Sequence, residues 1–338
     1  MIVKLSDVAK RAGVSAMTAS RVINGRGRVS ETTRAAVQAA VADLGYSPNL
    51  AARSLASHGV DRVGLLYSNP SASYLGEFLI GALEGAQQLG AMLAVERCAD
   101  DAASEVAAIR RLAAGGIRGL ILPPPHGESV EAVEAALSLG LRVVAVATGS
   151  FHSQALSVRI DDRAAAGLVA RHFLDLGHRR FGVITGPANQ SASAERLAGF
   201  RDEIARVDPA LDVTVVAGDF THASGLAAGG DLLDRARPPT AIFAGNDDMA
   251  AGVIAAARAR GLDAPGDLSV AGFDDTPLAT TLWPPLTTLR QPVAEMARAA
   301  LEMIRSDAEP GSERLYPHQL VVRGSTAPPP VDRPVVLP

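Results

Sequence analysis

From Asp61 onward the chain alternates short apolar, β-prone runs with longer alanine-rich stretches of helical spacing, and few architectures accept that alternation. The apolar runs predict strands at Val63–Ser68, Met92–Arg97, Gly119–Leu122, Val143–Ala147, Leu156–Ile160, Arg180–Thr185, Val213–Ala217, Ala241–Ala244 and Ser269–Phe273. Helices are predicted between them at Gly76–Leu89, Ala103–Ala114, Arg163–Leu176, Ala194–Ile204, Gly225–Ala236 and Met249–Arg260. Strands that are apolar throughout have no solvent face, so they belong in parallel sheets covered by helices on both sides. Roughly 270 residues of this pattern exceed one hydrophobic core, which predicts an α/β region of two doubly wound parallel-sheet subdomains.

The first 58 residues differ in charge. Eight Lys/Arg (Lys4, Lys10, Arg11, Arg21, Arg26, Arg28, Arg34, Arg53) face three acids (Asp7, Glu31, Asp43), a net of +5, whereas the remaining 280 residues carry −9. The whole-chain charge of −4 hides this split, which suits a small nucleic-acid module joined to a domain with another task. A helical segment with solvated basic residues has the same charge, so the reading depends on local pattern.

That pattern is two short helices and a tight turn. Ser6 can cap a helix over Asp7–Ala12, Gly13 ends it, and Ser15 can cap a second helix from Ala16 to Ile23. Leu5, Val8, Ala9, Val14, Ala19 and Val22 are spaced to share one small core, leaving Ala16, Met17, Thr18, Ser20 and Arg21 outward. In a helix-turn-helix the second helix enters the major groove. There Arg21 can pair with guanine, Ala16 and Met17 offer apolar contact, and Thr18 and Ser20 suit phosphate. A third helix, Glu31–Leu44 behind Ser30, closes the core with Val37, Ala40, Val41 and Leu44, and Gly45 and Pro48 stop it.

The following segment, Asn49 to Ser57, is short and alanine-rich, and a nine-residue helix is marginal alone in water. Leu55 is its large apolar group able to wedge into a minor-groove step; the alternative is a linker whose Leu55 packs on the next domain.

Ligands of parallel sheets bind beyond the carboxyl ends of the strands. The polar residues there are Tyr67, Ser68 and Asn69, then Asn246-Asp247 and Asp274-Asp275, with Arg196 near a helix start. Arg, Asn and Asp converging on one cleft beside aromatics suit a polyhydroxylated ligand, with Tyr74, Phe151, Phe220 and Trp283 as candidate ring walls. Asn246 and Asp275 can instead cap the elements that follow, and Phe220 and Trp283 can be core or lid packing. His126, His152 and His222 lie in predicted loops without metal-ligand spacing and are expected at the surface. The single cysteine, Cys98, excludes an internal disulfide, and no metal or cofactor is expected. No 18-residue apolar span or charged-then-apolar leader appears, so a soluble cytoplasmic, nucleoid-associated protein without a membrane partner is expected. Two rivals are a transport-type sugar-binding protein and an α/β enzyme acting on sugars; no G-x-S-x-G or phosphate-cradling loop supports the enzyme.

The runs KLSDVAKRAGVSAMTASRVING and RVSETTRAAVQAAVADLGYSPNLAARSLAS resemble the lactose-repressor (LacI) family of bacterial transcription regulators. So do LDLGHRRFGVITG, SAERLAGF, FAGNDDMAAGVIAAARARGLDAPGDLSVAGFDDTPLA and WPPLTTLRQP, in the family's order. The resemblance implies a helix-turn-helix headpiece over 1–48, a hinge helix over 49–59, and a periplasmic-binding-protein-like effector core over 60–327. Within that core, a first subdomain takes about 60–160 plus 291–322 and a second about 161–290; 328–338 is a Pro-rich tail. It implies a homodimer on near-palindromic operator double-stranded DNA, repressing carbohydrate-utilisation genes under control of a sugar-like effector. Ser15, Ala16, Met17, Thr18, Ser20, Arg21, Asn24, Asn49, Arg53 and Leu55 are the implied DNA contacts. Arg196, Asn246 and Asp274 match the effector-contacting residues, Phe220 the aromatic wall, and Gln291 a residue beside the crossovers. Tyr67, Asn69, Ser73 and Tyr74 complete the set, but YSNPSASYLGEF departs from the common form with two aromatics after Asn-Pro, so effector identity does not carry over. The tail APPPVDRPVVLP lacks an apolar heptad and predicts no tetramerising bundle.

Overall fold

A computed structural model describes residues 5–23, 30–44, 61–99, 101–149 and 152–330. The chain divides into two units, Met1–Val60 and Asp61–Pro338.

In the first unit, helices α1 (Leu5–Arg11), α2 (Ala16–Ile23) and α3 (Glu31–Leu44) enclose a small core of Val8, Ala9, Ala19, Val22, Val37 and Ala40, with Val14, Val41 and Leu44 packed against it. Gly13 makes the turn at φ +66°, the left-handed region that glycine occupies without steric cost. Ser15 Oγ accepts from the Thr18 N–H at 3.1 Å and Ser30 Oγ from Thr33 at 3.3 Å, so two of the three expected caps form. Helix α1 already includes Ser6, which therefore lies in its first turn and not ahead of it. An ion pair of 2.8 Å between Arg11 and Asp43 links α1 to α3.

The second unit begins with β1 (Arg62–Tyr67), α4 (Ala72–Leu89), β2 (Met92–Arg97), α5 (Ala102–Ala114), β3 (Gly119–Leu122), a single 3-10 turn at His126–Glu128, α6 (Val130–Ser138), β4 (Arg142–Val146) and β5 (Leu156–Arg159). It continues with α7 (Asp162–Asp175), β6 (Arg180–Thr185), α8 (Ser191–Val207), β7 (Asp212–Ala217), α9 (His222–Leu233), β8 (Ala241–Ala244), α10 (Asp247–Ala259), β9 (Ser269–Asp274), α11 (Pro277–Thr281) and β10 (Thr287–Arg290). Helix α12 (Val293–Arg305), β11 (Glu313–Leu315) and β12 (Gln319–Val321) complete it. Two six-stranded sheets result, ordered β11-β5-β4-β3-β1-β2 and β12-β10-β9-β8-β6-β7, parallel except where β12 meets β10 antiparallel.

The chain passes between the sheets three times, after β5, after β10 and after β11. The last crossing corrects the expected subdomain limit: within 291–322, β11 joins the first sheet but β12 returns to the second. Strands β10, β11 and β12 and helices α6, α11 and α12 were not among the predicted elements. The run TTLR is buried yet polar, and the two final strands have three residues each, too few to show a period. His126 is a second correction, fully buried rather than at the surface, whereas His152 is half-buried and His222 exposed.

Close helix pairing depends on glycine at particular crossings. A Cβ at Gly81 of α4 would lie on the Ala294 carbonyl oxygen of α12, and one at Gly199 of α8 on that of Arg163 in α7. The Gly81→Ala variant is expected to lose about 1–3 kcal/mol by forcing α4 and α12 apart, read as a lower urea midpoint; an unchanged midpoint would show that the helices separate freely.

Candidate functional site

The reading face of α2 is open. Ala16, Met17 and Arg21 are exposed, Met17 at 66%, while Ala19 and Val22 face the core. The Ser15 and Thr18 hydroxyls lie 2.9 Å apart at the head of the helix, where they cap it and remain at the surface. The Ser20 side chain and Asn24, Asn49, Arg53 and Leu55 lie outside the described residues.

In the second unit the carboxyl ends of eight parallel strands converge on one cavity with about 360 Å³ of space between its lining atoms, part of it open to solvent. Asn69 follows β1, Pro124 β3, Ala147 β4, Gln190 β6, Phe220 β7, Asn246 β8 and Gln291 β10, while Asp274 ends β9. Ser71, Tyr74, Ala192 and Arg196, from the first turns of α4 and α8 or their caps, close it. Seven of the nine expected effector residues thus line the cavity. The other two, Tyr67 and Ser73, do not: Tyr67 ends β1, and Ser73 Oγ donates to Asp248 Oδ1 at 3.4 Å. Trp283 is 76% exposed and away from the cavity, and Phe151 lies outside the described residues. Ser71, Pro124, Ala147, Gln190 and Ala192 also line the cavity and were not among the expected residues.

Three of the four non-glycine residues with positive φ among the described residues line this cavity: Ala147 at 55°, Phe220 at 67° and Asp274 at 110°. Such conformations cost about 1–3 kcal/mol each and persist only where surroundings impose them, typically at ligand sites.

Arg196 is the electrostatic centre. Its Nε donates to Asp162 Oδ1 at 2.7 Å, its Nη1 to the Gly245 carbonyl at 2.7 Å, and its guanidinium lies 3.5 Å above the Phe273 ring. Phe273 continues through Phe243 and Phe200 to Phe181, an aromatic column that fixes the platform. Burial raises the Asp162 carboxyl above its ordinary range despite the opposing pull of Arg196.

Asp274 accepts from Gln291 Nε2 at 2.6 Å and is pushed up to about 7, chiefly by burial, with Arg196 and Gln291 opposing the rise. Behind it the buried Asp247 accepts from Thr276 N, Thr276 Oγ1 and Thr288 Oγ1, and burial and the Asp274 charge raise it well above the carboxylate range. Asn246 both caps and lines: its Oδ1 accepts from Met249 N at 2.9 Å and its Nδ2 donates to the Phe220 carbonyl at 3.0 Å. Asp275 does not cap; it pairs with Arg290 and Arg323, each at 2.6 Å. Tyr74 Oη and Gln291 Oε1 are buried at the cavity with no protein partner, and burial raises the Tyr74 hydroxyl above its ordinary range.

Three sets of contacts bridge the subdomains beside the cavity, and in one of them the Gly149 N–H donates to Ser191 Oγ at 2.6 Å. The Glu128 carboxylate accepts from Ser191 N at 2.8 Å and Ser191 Oγ at 2.7 Å, and Asp248 accepts from Ser71 and Ser73. Among the described residues no three or more His, Cys, Asp or Glu are grouped to hold a metal, and no helix is long and apolar enough to cross a membrane.

The first unit is a helix-turn-helix, the fold of DNA-reading modules, and the second is a two-sheet core with a polar cavity at its strand ends. The lacI family of bacterial regulatory proteins matches residues 4–49, and the periplasmic binding protein-like domain matches residues 170–326. The chain is 34% identical over 329 residues to the HTH-type transcriptional regulator DegA of Bacillus subtilis (strain 168), covering 95% of this chain and 97% of that protein. Its fold matches the lac repressor dimer bound to operator and the anti-inducer ONPF with a TM-score of 0.85 at 28% identity, covering 97% and 100% of the two chains. It also matches the transcriptional regulator CelR in complex with cellobiose, with a TM-score of 0.71 at 29% identity over 96% and 99%. The chain belongs to the LacI family of DNA-binding transcriptional regulators, and its relatives are regulators, not enzymes.

Proposed function

We propose that the protein is a dimeric repressor of carbohydrate-utilisation genes whose operator affinity is set by a small sugar bound between the core subdomains. The observation that carries this reading is the convergence of Arg196, Asn246 and Asp274 with the Phe220 ring on one cavity. Carboxylate, amide and guanidinium groups bond sugar hydroxyls in pairs, and a ring covers the C–H face. Tyr74 Oη and Gln291 Oε1 add two buried polar atoms that a polyhydroxylated ligand can satisfy, where an unmet group costs about 1–3 kcal/mol. Sugar-bound CelR and the operator-bound lac repressor dimer support the ligand, DNA and oligomer assignments by similarity.

A thermal-shift screen of mono- and oligosaccharides tests the sugar assignment. A ligand at about 100-fold its dissociation constant stabilises by about 2.7 kcal/mol, and the same ligand must change operator affinity. Linkage demands that operator change sugar affinity by an equal factor. Stabilisation by no sugar would overturn the reading, and a monomer or tetramer by light scattering would overturn the dimer.

Arg21 is proposed as the base-reading side chain of α2. Arg21→Ala is expected to cost about 1–3 kcal/mol and to relax preference at one base pair, measured by binding to operators varied one position at a time; an equal loss on every sequence would make it a phosphate contact.

A further inference from the structure

Away from the sugar cavity, three segments bring a thiol, an imidazole and a carboxylate into one relay. Cys98 follows β2, Glu105 lies in the first turns of α5, and His126 opens the 3-10 turn after β3. His126 is fully buried and Glu105 is 2% exposed, beside an apolar cluster that includes Leu66, Ile109, Leu122 and Val133. Glu105 Oε1 accepts from His126 Nδ1 at 2.6 Å, and Glu105 Oε2 accepts from Ser129 Oγ. With the Nδ1 proton committed to the carboxylate, His126 Nε2 turns its lone pair to Cys98 Sγ, 3.5 Å away. Cys98 is half-buried and packs against the same apolar cluster. The other charged residues flanking this cluster, among those described, include Arg97, which is exposed, Asp101, whose carboxylate is held by the Ser104 N–H at 2.9 Å, and Glu128 of the same 3-10 turn, whose carboxylate is held by Ser191.

A buried histidine whose second nitrogen is held by a buried carboxylate costs desolvation that an apolar pair would avoid. The order nucleophile, base, orienting carboxylate is the arrangement that makes a thiol reactive. We infer that Cys98 is an activated thiol and a modification site for soft electrophiles and hydroperoxides, with His126 as its base and Glu105 as the residue that positions that base.

The proton moves from Sγ to Nε2, leaving a thiolate beside an imidazolium balanced by Glu105. With an alkyl halide a sulfur–carbon bond forms, the carbon–halogen bond breaks and halide leaves. With a hydroperoxide the sulfur takes the terminal oxygen as a sulfenic acid, losing two electrons. The oxygen–oxygen bond breaks, and the leaving alkoxide or hydroxide takes the proton from Nε2. The relay has a short covalent path to the sugar cavity: Pro124, two residues before His126, lines it, and Glu128, two residues after, holds Ser191 of the other subdomain.

The test uses the full chain and iodoacetamide, with alkylation of the single cysteine followed by mass spectrometry across about pH 5.5 to 9.5. The reference is the same chain in concentrated urea, where an unassisted thiol ionises near pH ~8.5. The folded protein is expected to show its rate inflection at least about one pH unit below the unfolded chain, a roughly tenfold larger thiolate fraction at low pH. A shared or higher inflection overturns the proposal. Glu105→Gln, checked as folded by its melting transition, is expected to move the inflection back toward that of the unfolded chain; an unmoved inflection in a folded variant also overturns it. If that variant does not fold, the wild-type comparison decides alone. Hydrogen peroxide followed by dimedone is expected to label Cys98 with the same order of pH profiles, and absence of label would remove hydroperoxides from its reagents.

Discussion

Arg196→Met is expected to destabilise the core by about 3–5 kcal/mol at neutral pH, because it leaves Asp162 buried without its partner. The guanidinium also gives up its bond to the Gly245 carbonyl and its place over Phe273, so the aromatic column loses its polar lid. Asp162 already stands above the ordinary carboxylate range, since burial outweighs the attraction of Arg196; without that attraction it rises further and takes up a proton. The deficit should therefore shrink as the pH is lowered, when the carboxyl is neutral in both proteins. Urea unfolding at neutral and acid pH measures both quantities. A second substitution, Asp162→Leu, should return much of the loss by removing the orphaned charge, and a single-mutant cost under about 1 kcal/mol would contradict a desolvated pair.

Asp274→Asn is expected to have the opposite sign, stabilising the ligand-free core above neutral pH. A carboxyl raised to about 7 in the folded chain and near its ordinary value of ~3.9 unfolded binds more protons when folded. Its contribution is then fully present below about pH 4 and is lost as the pH rises through about 7, so the ionised form opposes folding in alkaline solution. Asparagine never ionises, still accepts from Gln291 Nε2, and tolerates the positive φ at this position better than most residues. A gain on the order of 2–4 kcal/mol at pH ~8, vanishing near pH ~4, follows from a shift of that size. Equal stability of variant and wild type at both pH values would show that Asp274 is not raised in the folded chain. On the proposed function the same variant loses its response to sugar, so the charge that weakens the empty core is the one the ligand uses.

Strands buried on both faces were visible in the sequence, and so were the half-exposed edge strands β2 and β7, whose apolar residues are β-prone. Gly119–Leu122 and Ala241–Ala244 are fully buried, and such strands leave an unbroken apolar run at the predicted positions. Strand β10 is buried over Thr287–Leu289 but reads as polar, because Thr288 donates to Asp247 and Thr287 lies 3.0 Å from the Thr326 hydroxyl; side-chain pairing replaces apolar transfer, and hydrophobic periodicity does not register it. Tyr74 shows how a small boundary shift matters. The predicted helix began at Gly76, but Ser71 accepts from Tyr74 N and starts it at Ala72, which puts Tyr74 in the first turn and at the cavity. Arg196, Asn246 and Asp274 were legible because motifs carried them in order. The Cys98–His126–Glu105 relay was not, since its members are separated by 28 and 21 residues and meet only after three elements pack.

The three crossings between the sheets bear on the order in which a growing chain can finish. Strand β5 presents its outer edge to β11, which is made roughly 150 residues later, and β10 waits in turn for β12. At about 5–20 residues per second on the ribosome, β5 stands unpaired on that side for roughly 8–30 s, while the small first unit is already complete. An open strand edge is a template for other chains, so synthesis of the core passes through an interval of exposure to neighbouring nascent proteins that the finished sheets close.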